Sequence, residues 1–265
     1  MNVDQGKALT ERKKHMTRII LGGCNGKMGH TVRSIIDENN DIEVAAGIDI
    51  SEGDAKFPVF TDAADCNIEA DAIIDFSSPA ALDGILALAL GKGIPAVLCA
   101  TGYTVEQIAK IEESSKKVAI LRSANMSLGI NILAKLVTEV AQIRADRGYD
   151  IEIVERHHNQ KVDAPSGTAL LLADAANEAL NGEYDYVYDR SGRREKRPKK
   201  EIGISALRGG TVVGIHDVMF AGTDEVIEFK HTAYSRAIFA KGAVQAAKFL
   251  TGKEAGMYDM ADVIG

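Results

Sequence analysis

The densest group of reactive side chains in the chain lies between Glu155 and Thr168, in the segment E-R-H-H-N-Q-K-V-D-A-P-S-G-T. Two imidazoles, those of His157 and His158, stand close in sequence to the amine of Lys161. Imidazoles titrate near neutral pH, and a lysine does so when it is desolvated. The segment therefore predicts a site that donates and accepts protons.

The end of the same segment indicates anion binding. Ser166, Gly167 and Thr168 precede the apolar pattern of a predicted helix from Ala169 to Ala179. The first N–H groups of a helix have no partner within it, and the helix dipole attracts negative charge there. Together with the two hydroxyl groups beside them, these N–H groups predict a binding site for a carboxylate.

Three other interpretations of the segment stay open at this point. A metal site built from His157, His158 and Asp163 is disfavoured, because adjacent side chains on an extended segment point in opposite directions and Lys161 would repel a cation. We therefore predict no metal. A solvated polar loop that caps a helix is the plainest alternative. A nucleophilic Ser166 is less favoured, because the segment lacks the G-x-S-x-G motif.

A nucleotide-binding pattern occurs near the start of the chain. The apolar run Ile19 to Leu21 leads into a G-x-x-G-x-x-G turn, which consists of Gly23, Cys24, Asn25, Gly26, Lys27, Met28 and Gly29. Glycines permit a tight turn and let backbone N–H groups approach a pyrophosphate, which the following helix N-terminus attracts. The next predicted strand ends at Asp49, 20 residues beyond Gly29, where a carboxylate would hydrogen-bond a ribose 2′-hydroxyl. This order of features predicts binding of NAD(H) or NADP(H).

Asp49 also bears on the choice between the two cofactors. Its carboxylate would repel a 2′-phosphate, and the neighbouring Ile50 carries no charge to offset that repulsion, whereas Lys27 does. We predict that NADH is used at least as well as NADPH.

Strand and helix patterns alternate through the first half of the chain. The predicted strands after the glycine turn are Ile42–Ile48, Ala72–Phe76, Ala96–Cys99 and Val118–Leu121, and the predicted helices are Ala80–Leu90 and Val105–Ser115. Such alternation predicts parallel strands with right-handed crossovers. The expected fold class is α/β, with a Rossmann-like doubly wound parallel sheet.

The pattern changes after Leu128. A long helix is predicted over 130–147, then a strand around Ile151 and Ile153, and later three runs rich in β-forming residues over 202–207, 211–220 and 226–232. These predict an α+β domain with an open mixed sheet. A last helical pattern over 236–250 is expected to return to the first domain. We therefore predict that 16–127 and 236–265 form the dinucleotide-binding domain, that 128–235 form a substrate-binding and oligomerisation domain, and that the polar residues 1–15 are a disordered extension.

Composition excludes several classes of protein. The 265 residues carry a net charge of −7, which argues against a nucleic-acid partner. No apolar run reaches the roughly 18 residues that a membrane span needs, so no membrane partner is expected. The 3 cysteines lack metal-ligand spacing and predict free thiols in a reducing compartment, the cytoplasm. The strongly basic run over 190–200 is interpreted as a mobile, solvated loop.

Several motifs together resemble the dihydrodipicolinate reductase family. The run from Glu155 to Ala169 is similar to the signature of that family, and the turn from Gly23 to Gly29 is similar to its glycine loop. Shorter matches are Asp75-Phe76-Ser77, Thr101-Gly102, Ala124-Asn125-Met126-Ser127 and the hairpin from Arg208 to His216. The resemblance covers nearly all of the chain from Met16 onward.

The resemblance implies a role for each matching residue. His157 would be the proton donor and acceptor and Lys161 a second donor. His158, Gly167 and Thr168 would contact the substrate, and the anion-binding argument above adds Ser166. The implied cofactor contacts are Gly23, Cys24, Asn25, Gly26, Lys27, Met28, Gly29, Asp49, Phe76, Cys99, Ala100, Thr101, Ser123, Ala124, Asn125 and Met126.

The resemblance also implies a reaction. Members of the family use NADH or NADPH to reduce a cyclic, conjugated imine with two carboxylates, formed from 4-hydroxy-tetrahydrodipicolinate by loss of water, in diaminopimelate and lysine biosynthesis. Lys161 and the helix N-terminus would pair with one carboxylate while a protonated side chain delivers the proton. A homotetramer formed through the second domain is implied as well. The alternatives are another Rossmann-type enzyme, such as a homoserine or semialdehyde dehydrogenase, and a non-catalytic dinucleotide sensor.

Two departures from the family pattern affect the finer contacts. Cys99 and Ala100 stand where family members often have Gly and Thr, which removes a hydroxyl group near the expected nicotinamide position. Ile215 precedes His216 where many relatives carry glutamate. Neither position belongs to the proposed proton donors.

Overall fold

The computed structural model describes residues 16–144 and 148–265, so the predicted extension 1–15 lies outside the described residues. The strands are β1 Thr17–Gly22, β2 Ile42–Ile48, β3 Val59–Phe60, β4 Ala72–Asp75, β5 Ala96–Leu98, β6 Ala119–Arg122, β7 Asp150–His157, β8 Asp185–Val187, β9 Glu201–Arg208, β10 Gly214–Ala221, β11 Val226–Ala233 and β12 Gly256–Tyr258. The helices are α1 Lys27–Asp37, α2 Leu82–Lys92, α3 Val105–Ser115, α4 Leu128–Arg144, α5 Gly167–Ala179, α6 Ala237–Leu250 and α7 Met260–Ile264. They form two sheets covered by helices, which confirms the predicted fold class.

The first sheet is parallel, with the strand order β3-β2-β1-β4-β5-β6-β12. Chain connections leave in opposite directions on the two sides of β1, so the switch point of this doubly wound sheet lies between β1 and β4. The segments that follow β1, β4, β5 and β6 all start from the carboxyl edge of the sheet. The fold therefore brings 23–29, 76–78, 99–102 and 123–127 to one edge.

Burial on both faces explains why the strands of the first sheet read as continuous apolar runs. Ile19, Ile20 and Leu21 are each 0% exposed. Alternate side chains enter different cores, because Ile19 and Leu21 belong to the apolar cluster that contains α6, while Ile20 belongs to the cluster that contains α2.

The end of the chain returns to the first sheet. Helix α6 packs against β4 and β5, and its alanines lie in the core that also contains Ile19 and Leu21. Strand β12 pairs with β6 in parallel. The predicted boundaries near 128 and 236 stay a prediction.

The second sheet is mixed, with the order β11-β10-β7-β9-β8. Strand β7 is antiparallel to β10 and parallel to β9. Its burial alternates, so that Ile151, Ile153, Glu155 and His157 face α4 and α5. The apolar pair lies in the core under these helices. Further along the strand, the same face presents a carboxylate and an imidazole.

Several boundaries differ from the prediction. Strands β3, β8 and β12 and helix α7 are too short to give a periodic pattern, and none was predicted. Helix α4 begins two residues earlier than predicted, and residues 145–147 lie outside the described residues. Strand β10 begins at Gly214 rather than Thr211, because the chain is still turning at Gly210, where φ is +52°.

The basic run, interpreted as a mobile, solvated loop, is exposed over most of its length, but Arg190, Arg193 and Arg197 form ion pairs with the second sheet. Arg197 donates to Asp150 at 2.7 Å and to Glu152 at 3.0 Å, and Arg193 pairs with Glu201 at 2.5 Å. Counting charges in the sequence missed these pairs, because the acidic partners lie on β7 and β9. Within the described residues, no helix combines the length and apolar character that a membrane crossing needs.

Candidate active site

The glycine turn after β1 is shaped by close backbone approach. Gly23 has a φ of +70°, and a Cβ added there would lie 2.8 Å from backbone atoms of Phe76 and Ser77. A Cβ on Gly29 would lie 2.2 Å from the carbonyl oxygen of Gly23. Both positions therefore require glycine, which keeps α1 close to the turn and to the end of β4.

The N-terminus of α1 fits a dinucleotide. Its N-cap is Gly26, which provides no side-chain cap, and the first turn contains no acidic residue. The first helical bond is donated by the N–H of His30 to Gly26 O at 2.9 Å, so the N–H groups of the residues between them precede the helical ladder. Exposed N–H groups at a helix N-terminus bind phosphate. Lys27, the first helical residue, adds an exposed cation there.

Asp49 lies directly after β2 and beside the glycine turn, as the nucleotide-binding pattern predicts. Its Oδ2 accepts a hydrogen bond from the backbone N–H of Asn25 at 2.8 Å, and its Oδ1 accepts one from Ile50 N–H at 2.8 Å. The carboxylate therefore joins β2 to the turn. Each oxygen keeps a second lone pair with which it can bind a ribose hydroxyl.

A cavity of about 280 Å³ lies between the carboxyl edge of the first sheet and the start of α5, which packs on the second sheet. Its lining comprises Met28, Phe76, Cys99, Ser123, Ala124, Asn125, Met126, Thr168 and Phe239. Most of these residues were expected from the sequence to contact the cofactor, whereas Thr168 was expected to contact the substrate. Ala100 and Thr101 follow Cys99 directly. The amide of Asn125 donates to Thr168 Oγ1 at 2.8 Å and closes the contact between the two parts.

A second cavity of about 950 Å³ adjoins the first. Both are lined by Ser123 and Ala124, and the larger one also by Gly167 at the start of α5. The start of α5 therefore faces open space next to the residues expected to bind the nicotinamide.

His157 and Lys161 occupy the rim of the second sheet. His157 ends β7, and its Nδ1 lies 2.6 Å from Oε2 of Glu155. Lys161 is mostly buried, at 20% side-chain exposure, and its ammonium lies 2.8 Å from Asp163 Oδ1. His158 is half-buried at the start of the loop and accepts at its carbonyl from the N–H of Lys161 at 3.2 Å.

Ser166 is turned inward, unlike the free hydroxyl expected for carboxylate binding. It caps α5, because its Oγ accepts from Ala169 N–H at 3.2 Å, and it lies 3.1 Å from His216 Nε2. Its own N–H donates to Glu155 Oε1 at 3.0 Å. Gly167 and Thr168 are more exposed, so their N–H groups are the ones available to an anion.

Burial and charge shift the acid–base groups of this rim. Burial lowers the pKa of His157 below its ordinary value, and the hydrogen bond that His157 donates to Glu155 opposes part of that effect. Burial would raise the pKa of Glu155, but hydrogen bonds from Arg208 and His157 outweigh it and leave that pKa lowered. Burial lowers the pKa of His216 to about 4, and the neighbouring His157 contributes. The rim thus carries an ionised glutamate beside two histidines whose pKa values are lowered.

Sequence reasoning gave no role to Glu155, Arg208, His216 or Phe239. The alternating pattern of β7 could have indicated that Glu155 lies beside His157, because residues two apart on a strand share a face. The contribution of Phe239 depends on how α6 packs, which periodicity alone does not give. Among residues 16–144 and 148–265, no group of His, Cys, Asp and Glu is arranged to hold a metal ion.

A helix N-terminus suited to a pyrophosphate shares one cavity with Thr168 at the start of α5, which directly follows the loop of titratable groups. This is the arrangement of a nicotinamide-dependent oxidoreductase. Comparison with known proteins defines the family. The model for the dihydrodipicolinate reductase N-terminus matches residues 17–126, and the model for the dihydrodipicolinate reductase C-terminus matches residues 129–264. The chain therefore belongs to the dihydrodipicolinate reductase family and is an NAD(P)H-dependent oxidoreductase, which confirms the resemblance seen in its motifs.

Relatives match over nearly their whole length. The 4-hydroxy-tetrahydrodipicolinate reductase of Caldanaerobacter subterraneus subsp. tengcongensis is 50% identical over 249 residues, covering 94% of this chain and 98% of the relative. The reductase of Clostridium tetani is 49% identical and covers 92% of this chain and 96% of the relative. A solved structure, the dipicolinate-bound dihydrodipicolinate reductase from Paenisporosarcina sp. TG-14, superimposes with a TM-score of 0.79 at 22% identity, covering 94% of this chain and all of that one.

Proposed function

We propose that the protein reduces 4-hydroxy-tetrahydrodipicolinate to tetrahydrodipicolinate with NADH or NADPH, in the route to diaminopimelate and lysine. The observation that carries this proposal is the shared cavity, in which Ser123 to Met126 meet Thr168. The relatives are named for this reaction, and the solved relative is described as binding dipicolinate, a planar dicarboxylate.

One substrate carboxylate is held at the start of α5. The N–H groups of Gly167 and Thr168 point out of the helix end, and the dipole of α5 favours negative charge there. Lys161 supplies a cation from the preceding loop. Because its ammonium is paired with the exposed Asp163, it can exchange that carboxylate for the carboxylate of the substrate.

His157 delivers the proton. When bound, the reduced nicotinamide supplies a hydride, and the reduction of a conjugated imine consumes one proton in addition. His157 lies at the end of β7, in the second sheet, and the loop that follows it leads to Thr168 in the shared cavity. Its lowered pKa leaves the imidazolium a strong enough acid to give up its proton readily.

The two parts of the chain divide these tasks. In the proposal, 16–127 and 236–265 bind the dinucleotide, and 128–235 bind the substrate and form the contacts of a homotetramer. Support for the tetramer comes from the second sheet, whose inner face is covered by α4 and α5. Its outer face carries Val154, Ile215 and Met219, all partly exposed, beside Leu207 at 49% exposure. A second copy of the sheet would cover these apolar side chains. The cytoplasm is the proposed compartment, because Cys24, Cys66 and Cys99 are free thiols.

The test is a coupled assay. Dihydrodipicolinate synthase generates the substrate from pyruvate and aspartate semialdehyde, and nicotinamide absorbance is followed with NADH and NADPH in parallel. We expect oxidation that depends on the synthase. A dinucleotide that binds but is not oxidised in either assay would contradict the proposed reaction.

A variant separates the proton donor from the cofactor site. His157→Ala is expected to lower kcat by about 100-fold or more, because a general acid contributes that much. NADH affinity should stay within about threefold, since His157 lies outside the lining of the cofactor cavity. Normal turnover in the variant would remove His157 from the mechanism.

A further inference from the structure

We infer that Glu155 is the positioning residue for His157 and that Arg208 holds Glu155 in place. The inference rests on the proposed function, because it concerns the residue proposed to deliver the proton. Glu155 lies two residues before His157 on the same face of β7, and its side chain is 0% exposed. At 2.6 Å, the contact between its Oε2 and His157 Nδ1 is a short, charge-assisted hydrogen bond.

A carboxylate buried this completely needs full compensation. Arg208, on the neighbouring strand β9, supplies it by donating from both terminal nitrogens, to Oε2 at 2.8 Å and to Oε1 at 2.8 Å. The guanidinium also donates to the carbonyl of Asp163 at 2.7 Å, which fixes it to the loop that carries Lys161. A bidentate pair of this kind keeps the glutamate ionised and sets its direction.

This arrangement selects one form of the histidine. An ionised carboxylate at Nδ1 accepts a proton from it, so neutral His157 carries its proton on Nδ1 and exposes the lone pair of Nε2. Nε2 faces Gly214, where an added Cβ would lie only 3.2 Å away, so the glycine keeps the space beside Nε2 open. Protonation then takes place at Nε2, and Glu155 stabilises the resulting imidazolium.

The same carboxylate also positions the anion-binding end of α5. Its Oε1 accepts from the N–H of Ser166 at 3.0 Å, directly before Gly167 and Thr168. One side chain therefore sets both the orientation of the proton donor and the place of the N–H groups proposed to hold the substrate carboxylate. A role confined to folding would require neither the contact with the imidazole nor its short distance.

Four groups from different elements act on His157. Besides Glu155 on its own strand, these are Arg208 on β9, Lys161 in the loop and His216 on β10, whose ring centroid lies 5.1 Å from that of His157. Glu155 alone among them favours the imidazolium. Removing its charge therefore lowers the pKa of His157 further. A rate that requires the imidazolium then begins its alkaline decline at a lower pH.

The experiment compares Glu155→Gln with a matched control, Glu201→Gln. Glu201 is also a buried strand glutamate that holds two arginines, Arg190 at 2.6 Å and Arg193 at 2.5 Å, but it contacts neither His157 nor the cavities described above. We expect Glu155→Gln to lower kcat by about 10- to 100-fold and to move the alkaline fall in kcat down by about one pH unit. KM should change less than about threefold, because the amide oxygen of the glutamine can still accept from the N–H of Ser166. Glu201→Gln should leave kcat and the pH profile unchanged.

A second measurement does not depend on turnover. Nitrogen NMR of histidine-labelled protein reports the tautomer of His157, which we expect to be protonated on Nδ1 in the unmodified protein and to lose that preference in Glu155→Gln. An unchanged tautomer and an unchanged pH profile in Glu155→Gln would overturn the inference. If the protein shows the expected tautomer but is inactive in the coupled assay, the proposed reaction is contradicted, whereas the positioning role of Glu155 is supported.

If Glu155→Gln does not fold, Glu155→Asp tests whether the contact between Glu155 and His157 affects turnover. It keeps the charge for Arg208 but withdraws the carboxylate from His157 by one methylene group. We expect it to fold, as judged by dipicolinate-dependent thermal stabilisation, and to lose about tenfold in kcat. Full activity with an unaltered tautomer would show that the contact with His157 is unimportant.

Discussion

Asp49 accepts hydrogen bonds from two backbone N–H groups, those of Asn25 in the glycine turn and of the adjacent Ile50, at 2.8 Å each. These bonds set the position of the carboxylate relative to the glycine turn. A 2′-phosphate would approach this fixed negative charge, and the exposed Lys27 at the start of α1 is the cation of the turn that could offset it. We therefore expect the balance of these two charges to set the preference between NADH and NADPH.

Asp49→Asn tests that balance. The amide keeps the shape but loses the charge, so we expect the ratio of kcat/KM for NADPH to that for NADH to rise by about tenfold. Paired kinetics with both cofactors measure it, and Glu52→Gln, which removes an exposed charge three residues further on, is the control. An unchanged ratio would show that another charge dominates the choice.

His216 makes the stability of the molecule depend on pH. It is 4% exposed, faces Ser166 and the imidazole of His157, and burial lowers its pKa from 6.5 to about 4. Between these two values the unfolded chain binds a proton that the folded chain does not. The free energy of unfolding therefore falls as the pH falls from 6.5 to about 4, by about 3 kcal/mol in total.

His216→Gln should flatten this dependence. The variant is expected to lose less stability than the unmodified protein over the same pH interval, as measured by urea unfolding. His30→Gln, at an exposed position on α1, is the matched substitution and should leave the slope as it was. An equally steep loss in His216→Gln would assign the effect to other groups.

At the level of elements, α6 shows how helix packing builds the cofactor site. A Cβ on Gly242 would lie 1.7 Å from the carbonyl oxygen of Met126, so the helix contacts the segment after β6 backbone to backbone. Phe239, one turn earlier on α6, lines the cavity. The segment from Ser123 to Met126 thus owes its position to a helix more than 100 residues further along the chain.

Gly242→Ala is expected to reduce both stability and cofactor binding. Overpacking at such a contact costs about 1–3 kcal/mol, and the displaced segment should weaken NADH binding. Gly91→Ala is the control, because this helical glycine of α2 has no atom within 4 Å of an added Cβ and alanine there favours the helix by up to about 1 kcal/mol. Thermal unfolding and NADH titration of both variants provide the comparison, and equal behaviour would contradict the packing argument.

Much of the fold could be predicted from the sequence where a local pattern fixes it. The glycine turn, Asp49 and the alternation along β7 are local, so the first sheet and the reactive rim could be located. The pairing of Glu155 with Arg208 joins residues 53 apart, and the contact of Gly242 with Met126 joins residues even further apart. Such contacts depend on strand order and helix docking, which periodicity does not specify.

At the scale of the whole molecule, the outer face of the second sheet is the surface through which we propose that the chain assembles. Arg156 and Asp217 form an ion pair on this face, and Val154 lies opposite Asp217 in the pairing of β7 with β10. In the proposed tetramer, a second copy of the sheet covers the apolar side chains of this face.

Val154→Lys should therefore dissociate the proposed tetramer. A lysine on the central strand would place an additional charge between the sheets, so light scattering is expected to report four chains for the unmodified protein and fewer for the variant. Val105→Lys, at a position on α3 that is 79% exposed, should keep the mass. A single chain in the unmodified protein would contradict the assembly proposal.

The return of α6 and β12 to the first sheet has a consequence for synthesis on the ribosome. The core that contains Ile19 and Leu21 also contains Val244, Leu250 and Met260, so it lacks several of its members until the end of the chain has been made. Strands β1, β2 and β4 therefore keep an apolar face exposed during synthesis. The second sheet is contiguous in sequence and can form before the end of the chain has been made. We expect a nascent chain stalled before Arg236 to be cleaved by protease within its first half, and protection to follow release of the finished chain.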